Sequence, residues 1–479
     1  MVKIQKLHLL LGVCLIAGLG FRFYDLHAPW KRKDHYNYGG LHTTMFVECY
    51  KKTPLSVSKA IPHMDCADNA APGGFYPNHP PTLIIAEAWW TDLWGLSEAS
   101  IRTFVAMFSL LNVLLVYLLA RAVLKNETSA LLAATVQAVL PATLYFGTHA
   151  DFICEFAVFF SLLATLLMKQ GRAHLAGFVT VLAGLVSWPG FLGFAGLAFY
   201  TWRKKRSWWP ILIWGAFGFT SGLILMMWLQ QKLDLIEFLK FKLVRPGYVG
   251  QHTFDYLYPL RWTYQAWQYL SMLISPLFAL WAVLALTAVR VSPDRRAFGD
   301  DLILISGSGI LYAIAGHEYF YIHAFLWLYA LPGVAILLAW WLTPALTAQQ
   351  EQGTHSKWGV SLLTLFVVAT YSYGRLKTNL YLDSINDAIM AFSVIGFAIL
   401  WLQKKTNPRS WLVLFVLTAM VNFSQLVNWR NEPETDMQFC NSAREEFART
   451  HSAVTTNLTD DLAMRFYCRG IPVQPQPEQ

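Results

Sequence analysis

Charge is scarce in this chain. Only 14% of its 479 residues are Asp, Glu, Lys or Arg, against 55% hydrophobic, whereas a soluble chain carries about 25% charged residues. That deficit excludes an ordinary soluble domain and points to a protein embedded in lipid. Alternation of polar and apolar positions is missing as well. The run 277–286 is apolar at every position, which argues against a membrane β-barrel. No Gly-rich or Rossmann-like segment is present to hold a nucleotide. No basic-aromatic module accompanies the net charge of +8, which sets nucleic acid aside.

What the chain does have is long apolar runs. Stretches of about 17–25 residues recur, each long enough to cross a hydrocarbon core of roughly 30 Å. They must be helical, because lipid offers no partner for an unpaired backbone group. The expectation is an all-α polytopic membrane protein of about 13 transmembrane helices. The spans are read at 7–22, 100–120, 130–146, 152–168, 174–187, 191–202, 210–230, 267–289, 302–316, 325–342, 359–373, 388–402 and 411–427. The first resembles a signal peptide without a small-residue cleavage site and is read as retained. The segment 80–94 is apolar but short and contains Glu87 and Asp92. It reads as an interfacial or re-entrant helix.

Lys and Arg set the orientation. The basic start at 1–6 and the block Arg203-Lys204-Lys205-Arg206 mark the cytoplasmic side, while the turns 147–151 and 187–190 carry no Lys or Arg. The N-terminus is therefore expected inside. A first extracytoplasmic loop at 23–99 with interfacial helices, an external loop at 231–265 and a short tail at 428–479 are expected outside the membrane module 1–427. A multi-pass protein of a bacterial inner membrane fits this layout. Cysteine is sparse, six in all. Cys14 and Cys154 fall in or near spans. Cys49 with Cys66, and Cys440 with Cys468, fall in the two longest external segments, which suggests two local disulfides in an oxidising compartment, with four free thiols as the alternative.

Three groups of residues point to chemistry on the outer side. Asp34 follows the first span and is flanked by His35 and Tyr36. A carboxylate so placed can act as a general base or a metal ligand, or pair with Lys33 as a solvated loop acid. Tyr145, His149, Asp151 and Glu155 cluster at a second span boundary. If a helix begins at Asp151, both acids share one face at its N-terminus, where the helix dipole favours them, and ionisable groups at a membrane boundary are functional candidates. Lys240, Lys242, Arg245, His252 and Arg261, with the turn from His317 to His323, are cationic in segments where the positive-inside rule disfavours cations. An anionic ligand at the membrane surface gives a reason, and so do lipid head groups.

The stretch Asn78-His79-Pro80-Pro81-Thr82-Leu83, continuing through Leu93-Trp94-Gly95-Leu96-Ser97-Glu98 and Arg102 to Tyr117 and Arg121, resembles the membrane-embedded GT-C glycosyltransferases. The likeness is to the branch with the protein O-mannosyltransferases and the aminoarabinose (lipid A) transferases. It extends over about 7–341 through Asp34, Asp151, the Trp188-Pro189-Gly190 turn, His252 with Tyr258, and Tyr329 with Pro332. The resemblance implies a polyprenyl-phosphate-linked sugar donor and an acceptor hydroxyl on a protein, lipid or glycan. It implies Asp34 as the catalytic acid of the first loop, Asp151 as the second acidic position, and His79 at the cavity edge. Asp34, His35 and Asp151 become a candidate site for a divalent ion such as Mg or Mn. The family often has two adjacent acids where this chain has Asp34-His35, and Trp188-Pro189 replaces a Lys or Thr found in many relatives, so metal use and donor pocket stay open.

On chemical grounds a polyprenyl phosphate is already a good leaving group and needs no proton donor. One carboxylate base suffices, with Lys242, Arg245, His252, Arg261 and His317 to receive the phosphate. His35, Tyr36, His79, Tyr145 and Glu155 are the candidates to line the cavity. One base and an in-line attack predict inversion at the sugar carbon. The alternative is a transporter or flippase of lipid-linked glycans, or a non-catalytic assembly protein. A transporter predicts charges near the midplane and internal repeats.

Overall fold

The computed structural model describes residues 2–24, 26–27, 35–63, 79–152, 154–230, 258–292, 295–316, 324–347, 393–398, 408–430, 454–456 and 473–475, with the single positions 442, 445 and 449. Helix dominates. The first helix, α1, is Val2–Phe21; α2 (His35–Lys52), α3 (Leu55–Ser58) and α4 (Thr82–Trp94) follow. Then come α5 (Glu98–Leu124), α6 (Glu127–Val139), α7 (Pro141–Tyr145), α8 (Glu155–Lys169), α9 (Ala173–Val186), α10 (Gly193–Arg203) and α11 (Trp209–Gln230). After these lie α12 (Tyr258–Ile274), α13 (Pro276–Val291), α14 (Arg295–Ala315), α15 (Leu331–Leu346) and α16 (Pro408–Arg430). Two three-residue strands, Val454–Thr456 and Val473–Pro475, pair in parallel in the tail.

Among the described residues, three helices are long and apolar enough to cross a membrane: Glu98–Leu124, Trp209–Leu229 and Arg296–Ala315. The pair Glu127–Val139 and Pro141–Thr148 passes only as one broken unit, bent by 60°. Five more apolar helices, among them Leu7–Phe21 and Ala173–Val186, are shorter. The helix α11 is 17% buried over its most apolar window, against 56% for α5. Its exposed Phe217, Phe219, Ile224 and Met227 suit a lipid-facing helix, since lipid tails are as apolar as these side chains.

Three runs that hydropathy reads as single spans are interrupted. Pro141 stops α6, because proline brings no N–H and its ring crowds the preceding turn. Ser275, at φ 67°, separates α12 from α13, which starts at Pro276. A 3-10 turn, Ala324–Tyr329, precedes α15. The apolar character continues across all three breaks, so composition does not reveal them. The span expected at 359–373, and most of that at 388–402, lie outside the described residues.

Local chemistry explains the hairpins. Ser97 caps α5 by accepting from the Ser100 N–H, and Glu98 sits in the first turn where the helix dipole favours an acid. Asn126 caps α6 by accepting from the Ser129 N–H at 2.9 Å, so α5 and α6 reverse within two residues. A tryptophan cluster locks the late helices together. Trp281 of α13 is fully buried and lies 5.6 Å from Trp411 of α16, 6.3 Å from Trp341 of α15 and 6.0 Å from Phe397.

The C-terminal ends of α8 and α10 carry a buried ion-pair clamp. Lys169 meets Asp301 at 2.7 Å, and Arg203 and Lys204 meet Asp300 at 2.9 and 3.1 Å. The Tyr200 ring faces Lys169, Lys204 and Arg206 at 5.4–5.6 Å. Each buried acid has a cation and each cation a carboxylate, a carbonyl or a ring, which is what burial of charge requires.

The helix α4 is fixed at both ends. Thr82 donates to the Leu185 carbonyl at 2.6 Å, and the Trp90 indole to the Ser100 carbonyl at 2.9 Å. A Lys51–Asp92 pair at 2.7 Å ties it to α2. One face buries Leu83, Ile84, Glu87, Ala88 and Thr91, while Trp89, Leu93 and Trp94 stand exposed. A helix with one protein face and one aromatic-rich open face fits the interfacial reading of 80–94.

Candidate active site

The break at Pro141 frees backbone carbonyls inside the bundle, where an unmet carbonyl is costly. Side chains meet three of them. The Thr143 hydroxyl donates to Gln137. The Asn422 amide on α16 donates to Val139 at 2.8 Å, and Arg22 donates to Ala138 at 3.1 Å. The bent chain then runs through α7 and a 3-10 turn, Phe146–Thr148, into the segment with His149 and Asp151.

That segment is anchored. Thr43 of α2 donates to the Ala150 carbonyl at 3.0 Å, and the Phe152 N–H donates to the Asp151 carboxylate at 2.6 Å. His149 is buried with its Nε2 3.5 Å from Asp151, whose side chain keeps 20% exposure. Gly39 of α2 presses on this pair. A Cβ at Gly39 would stand 3.0 Å from the His149 ring and 3.1 Å from the Asp151 carboxylate. Gly39 lies one helical turn, about 6 Å, after the start of α2 at His35.

Two further residues face this place. His79 stacks on Phe152 at 4.8 Å, just ahead of the Pro80-Pro81 entry to α4. Glu87 of α4 is fully buried, and neither of its carboxylate oxygens has a hydrogen-bond partner among the described residues. Burial first, and the nearby charge of Asp151 second, push its carboxyl well above the ordinary carboxylate range. The protonated form is thereby favoured, as desolvation and a like charge both require.

Asp151 and Glu155 do not share a helix face. The helix α8 begins at Glu155, not at Asp151, so the four-residue spacing is not helical. Asp151 turns to His149. Glu155 turns into the bundle, where Asn112 donates to its carboxylate and, at 2.8 Å, to its carbonyl, and Ser109 donates at 3.4 Å. Glu155 is fully buried among these donors.

The remaining expected site residues are distributed as follows. Tyr145 is half-buried at the end of α7, edge-on to Phe146 at 4.9 Å. Arg261 is exposed in the first turn of α12. His35 and Tyr36 open α2, and their side chains are outside the description. Asp34, Lys242, Arg245, His252, His317, Cys66, Cys440 and Cys468 lie outside the described residues. Cys49 is disulfide-bonded, and its partner lies outside them too. Cys14 and Cys154 are free and buried.

Reading the sequence missed Arg22, Ser109 and Asn112 as a connected group, and noted Glu87 only as a charge in an apolar run. A lone acid facing inward on a short apolar helix was the available signal for Glu87. As to a metal, no group of three or more His, Cys, Asp or Glu residues converges among the described residues. His149 and Asp151 supply two donors, too few for a closed site by themselves, and the other expected ligands, Asp34 and the His35 side chain, lie outside the described residues.

Comparison with solved structures gives the architecture a precedent. ArnT from Cupriavidus metallidurans matches with a TM-score of 0.60 over 97% of this chain and 84% of that one, at 14% identity. The chain has the ArnT fold. The same protein bound to undecaprenyl phosphate matches equally, at a TM-score of 0.60 and 14% identity, over 97% of this chain and 85% of that one. The archaeal oligosaccharyltransferase AglB from Archaeoglobus fulgidus is more distant, at a TM-score of 0.44 and 13% identity, over 97% of this chain and 60% of that one. No family model matches the sequence, and no curated protein matches it either. The ArnT fold is the one that the GT-C resemblance of the sequence implies.

Proposed function

We propose that this chain is a membrane glycosyltransferase that moves a sugar from a polyprenyl-phosphate carrier to an acceptor hydroxyl on the extracytoplasmic face. The carrying observation is the shared fold across 97% of the chain with a structure that holds undecaprenyl phosphate. It is joined by the packing of Gly39 of α2 against His149 and Asp151.

In this reading Asp34, directly before α2, is the general base. It takes the proton from the acceptor hydroxyl as that oxygen attacks the anomeric carbon. The bond from that carbon to the phosphate oxygen breaks, and the electron pair leaves on the polyprenyl phosphate. Attack opposite the leaving group inverts the anomeric centre. Lys242, Arg245, His252, Arg261 and His317 receive the phosphate charge. Asp151, fixed by the Phe152 N–H and His149, orients the acceptor side.

The test uses purified chain in lipid nanodiscs with a radiolabelled polyprenyl-phosphate sugar and hydroxyl acceptors. Asp34→Asn is expected to lower kcat by roughly 10²–10⁴-fold, the range for removing a general base, while carrier binding persists. Wild-type turnover in Asp34→Asn sinks the base assignment. Movement of intact carrier across proteoliposomes, with no sugar released, favours the flippase alternative.

A further inference from the structure

Arg22 sits one residue past α1 and is completely buried, an expensive place for a guanidinium unless its donors are used. It spends them on three elements. Nε donates to the Ser109 hydroxyl of α5 at 2.7 Å. Nη1 donates to the Gly18 carbonyl of its own helix at 2.6 Å and to the Ala138 carbonyl of α6 at 3.1 Å. Ser109 passes the connection on to Glu155, the first residue of α8, which Asn112 of α5 also holds.

These contacts bracket one stretch of chain. Ala138 stands just before the break at Pro141, and Glu155 just after the turn with His149 and Asp151. Between them, Gly147 packs so closely that a Cβ there would come within 3.0 Å of the Ser109 hydroxyl and 3.4 Å of the Arg22 side chain. The segment 139–154 is therefore gripped at its start, its middle and its end by one side-chain network. The same arginine directly follows α1. Phe21, its neighbour, stacks on Phe423 of α16 at 4.5 Å, one residue from the Asn422 that holds Val139. The exit from α1 and the bend in α6 thus share both a charged and an aromatic clamp.

We propose that Arg22 is a positioning residue of the transfer site: through Ser109, Ala138 and Glu155 it fixes the turn that carries Asp151 relative to the end of α1. The proposal rests on the reading of function above. A fixed turn matters because a displacement of about 1 Å at a reacting centre can cost roughly 100-fold in rate. Neither Arg22 nor Ser109 touches substrate in this account.

Two variants test it in the full-length protein. Ser109→Ala removes the acceptor of Nε and the bridge to Glu155 with almost no change of volume. Arg22→Lys keeps the charge but loses the fork that serves two helices at once. Both are expected to lose hydrogen-exchange protection in peptides covering 146–154, while α9 and α13 keep theirs. Ser109→Ala is expected to lower kcat about tenfold and Arg22→Lys roughly 100-fold, with the KM for the carrier-linked sugar unchanged. Uniform loss of protection across the bundle overturns the proposal, since it marks a general stability role. Unchanged protection at 146–154 in Ser109→Ala overturns it too. Wild-type protein without turnover sinks the reading of function, and the exchange comparison still decides whether Arg22 holds the turn.

Discussion

Two groups of buried acids lie at opposite ends of α8, and they are treated in opposite ways. At the C-terminal end Asp300 and Asp301 are almost wholly enclosed, and Lys169, Arg203 and Lys204 neutralise them at 2.7–3.1 Å. Near the N-terminal end, about 21 Å away by helix rise, Glu87 is enclosed with no cation and no hydrogen-bond donor among the described residues. Burial of a carboxyl is equally costly in both places. Only the first is resolved by ion pairing, which is the arrangement of a scaffold. The second favours the protonated form of an acid beside Asp151, and perturbed acids of this kind concentrate where chemistry is done.

The largest expected effect is at the paired end. Asp301→Ala leaves Lys169 beside Tyr200 without its carboxylate. Breaking a buried pair costs about 3–5 kcal/mol, and the partial exposure of Lys169 reduces this to roughly 2–3 kcal/mol. A lowered Tm with unchanged turnover per folded molecule is the expected result. A turnover defect at normal Tm would erase the contrast between the two ends.

The next effect is a pH signature at Glu87. Its carboxyl is raised in the folded protein, so its contribution to stability is fully present below the unfolded carboxylate value, about 4.3. It is lost as pH rises toward the folded value, because the unfolded chain then releases the proton first. Glu87→Gln removes this dependence. Thermal unfolding of the two proteins is expected to coincide in acid and to diverge with rising pH in favour of the variant. Parallel curves at all pH values would mean that the Glu87 carboxyl is not raised in the folded protein.

The smallest effect is at Gly39→Ala. The added methyl meets the His149 ring and the Asp151 carboxylate at 3.0 and 3.1 Å, so turnover is expected to fall about tenfold or less. Stability should barely move, since Ala gains about 1 kcal/mol over Gly in a helix, against a similar cost of crowding. A larger loss of Tm than at Asp301→Ala would show that the Asp151 turn, not the ion-pair clamp, is the mechanical anchor.

Much of the bundle was legible in the sequence because lipid imposes long apolar helices, and α5, α8, α9, α11 and α16 begin and end close to the expected bounds. The breaks at Pro141 and Ser275 were not, since the apolar run continues through both while the backbone turns. Asp151 drew notice from its place at a span boundary, and the structure sets it beside His149. Its partnership with Glu155 was misread, because a spacing of four implies a shared face only inside one helix, and α8 starts at Glu155 itself. Arg22 was passed over as an ordinary charge at a span end. Its role depends on Ser109, Ala138 and Glu155, which lie far away along the chain and meet it only once α1, α5, α6 and α8 are packed.

The open face of α4 has a practical corollary. Trp89, Leu93 and Trp94 point away from the protein on the helix that holds Glu87 on its other side. Three large apolar side chains in a row on an open face call for an apolar cover, which an amphiphile supplies. The choice of amphiphile therefore belongs among the variables of any assay of this protein, on a par with temperature and acceptor concentration.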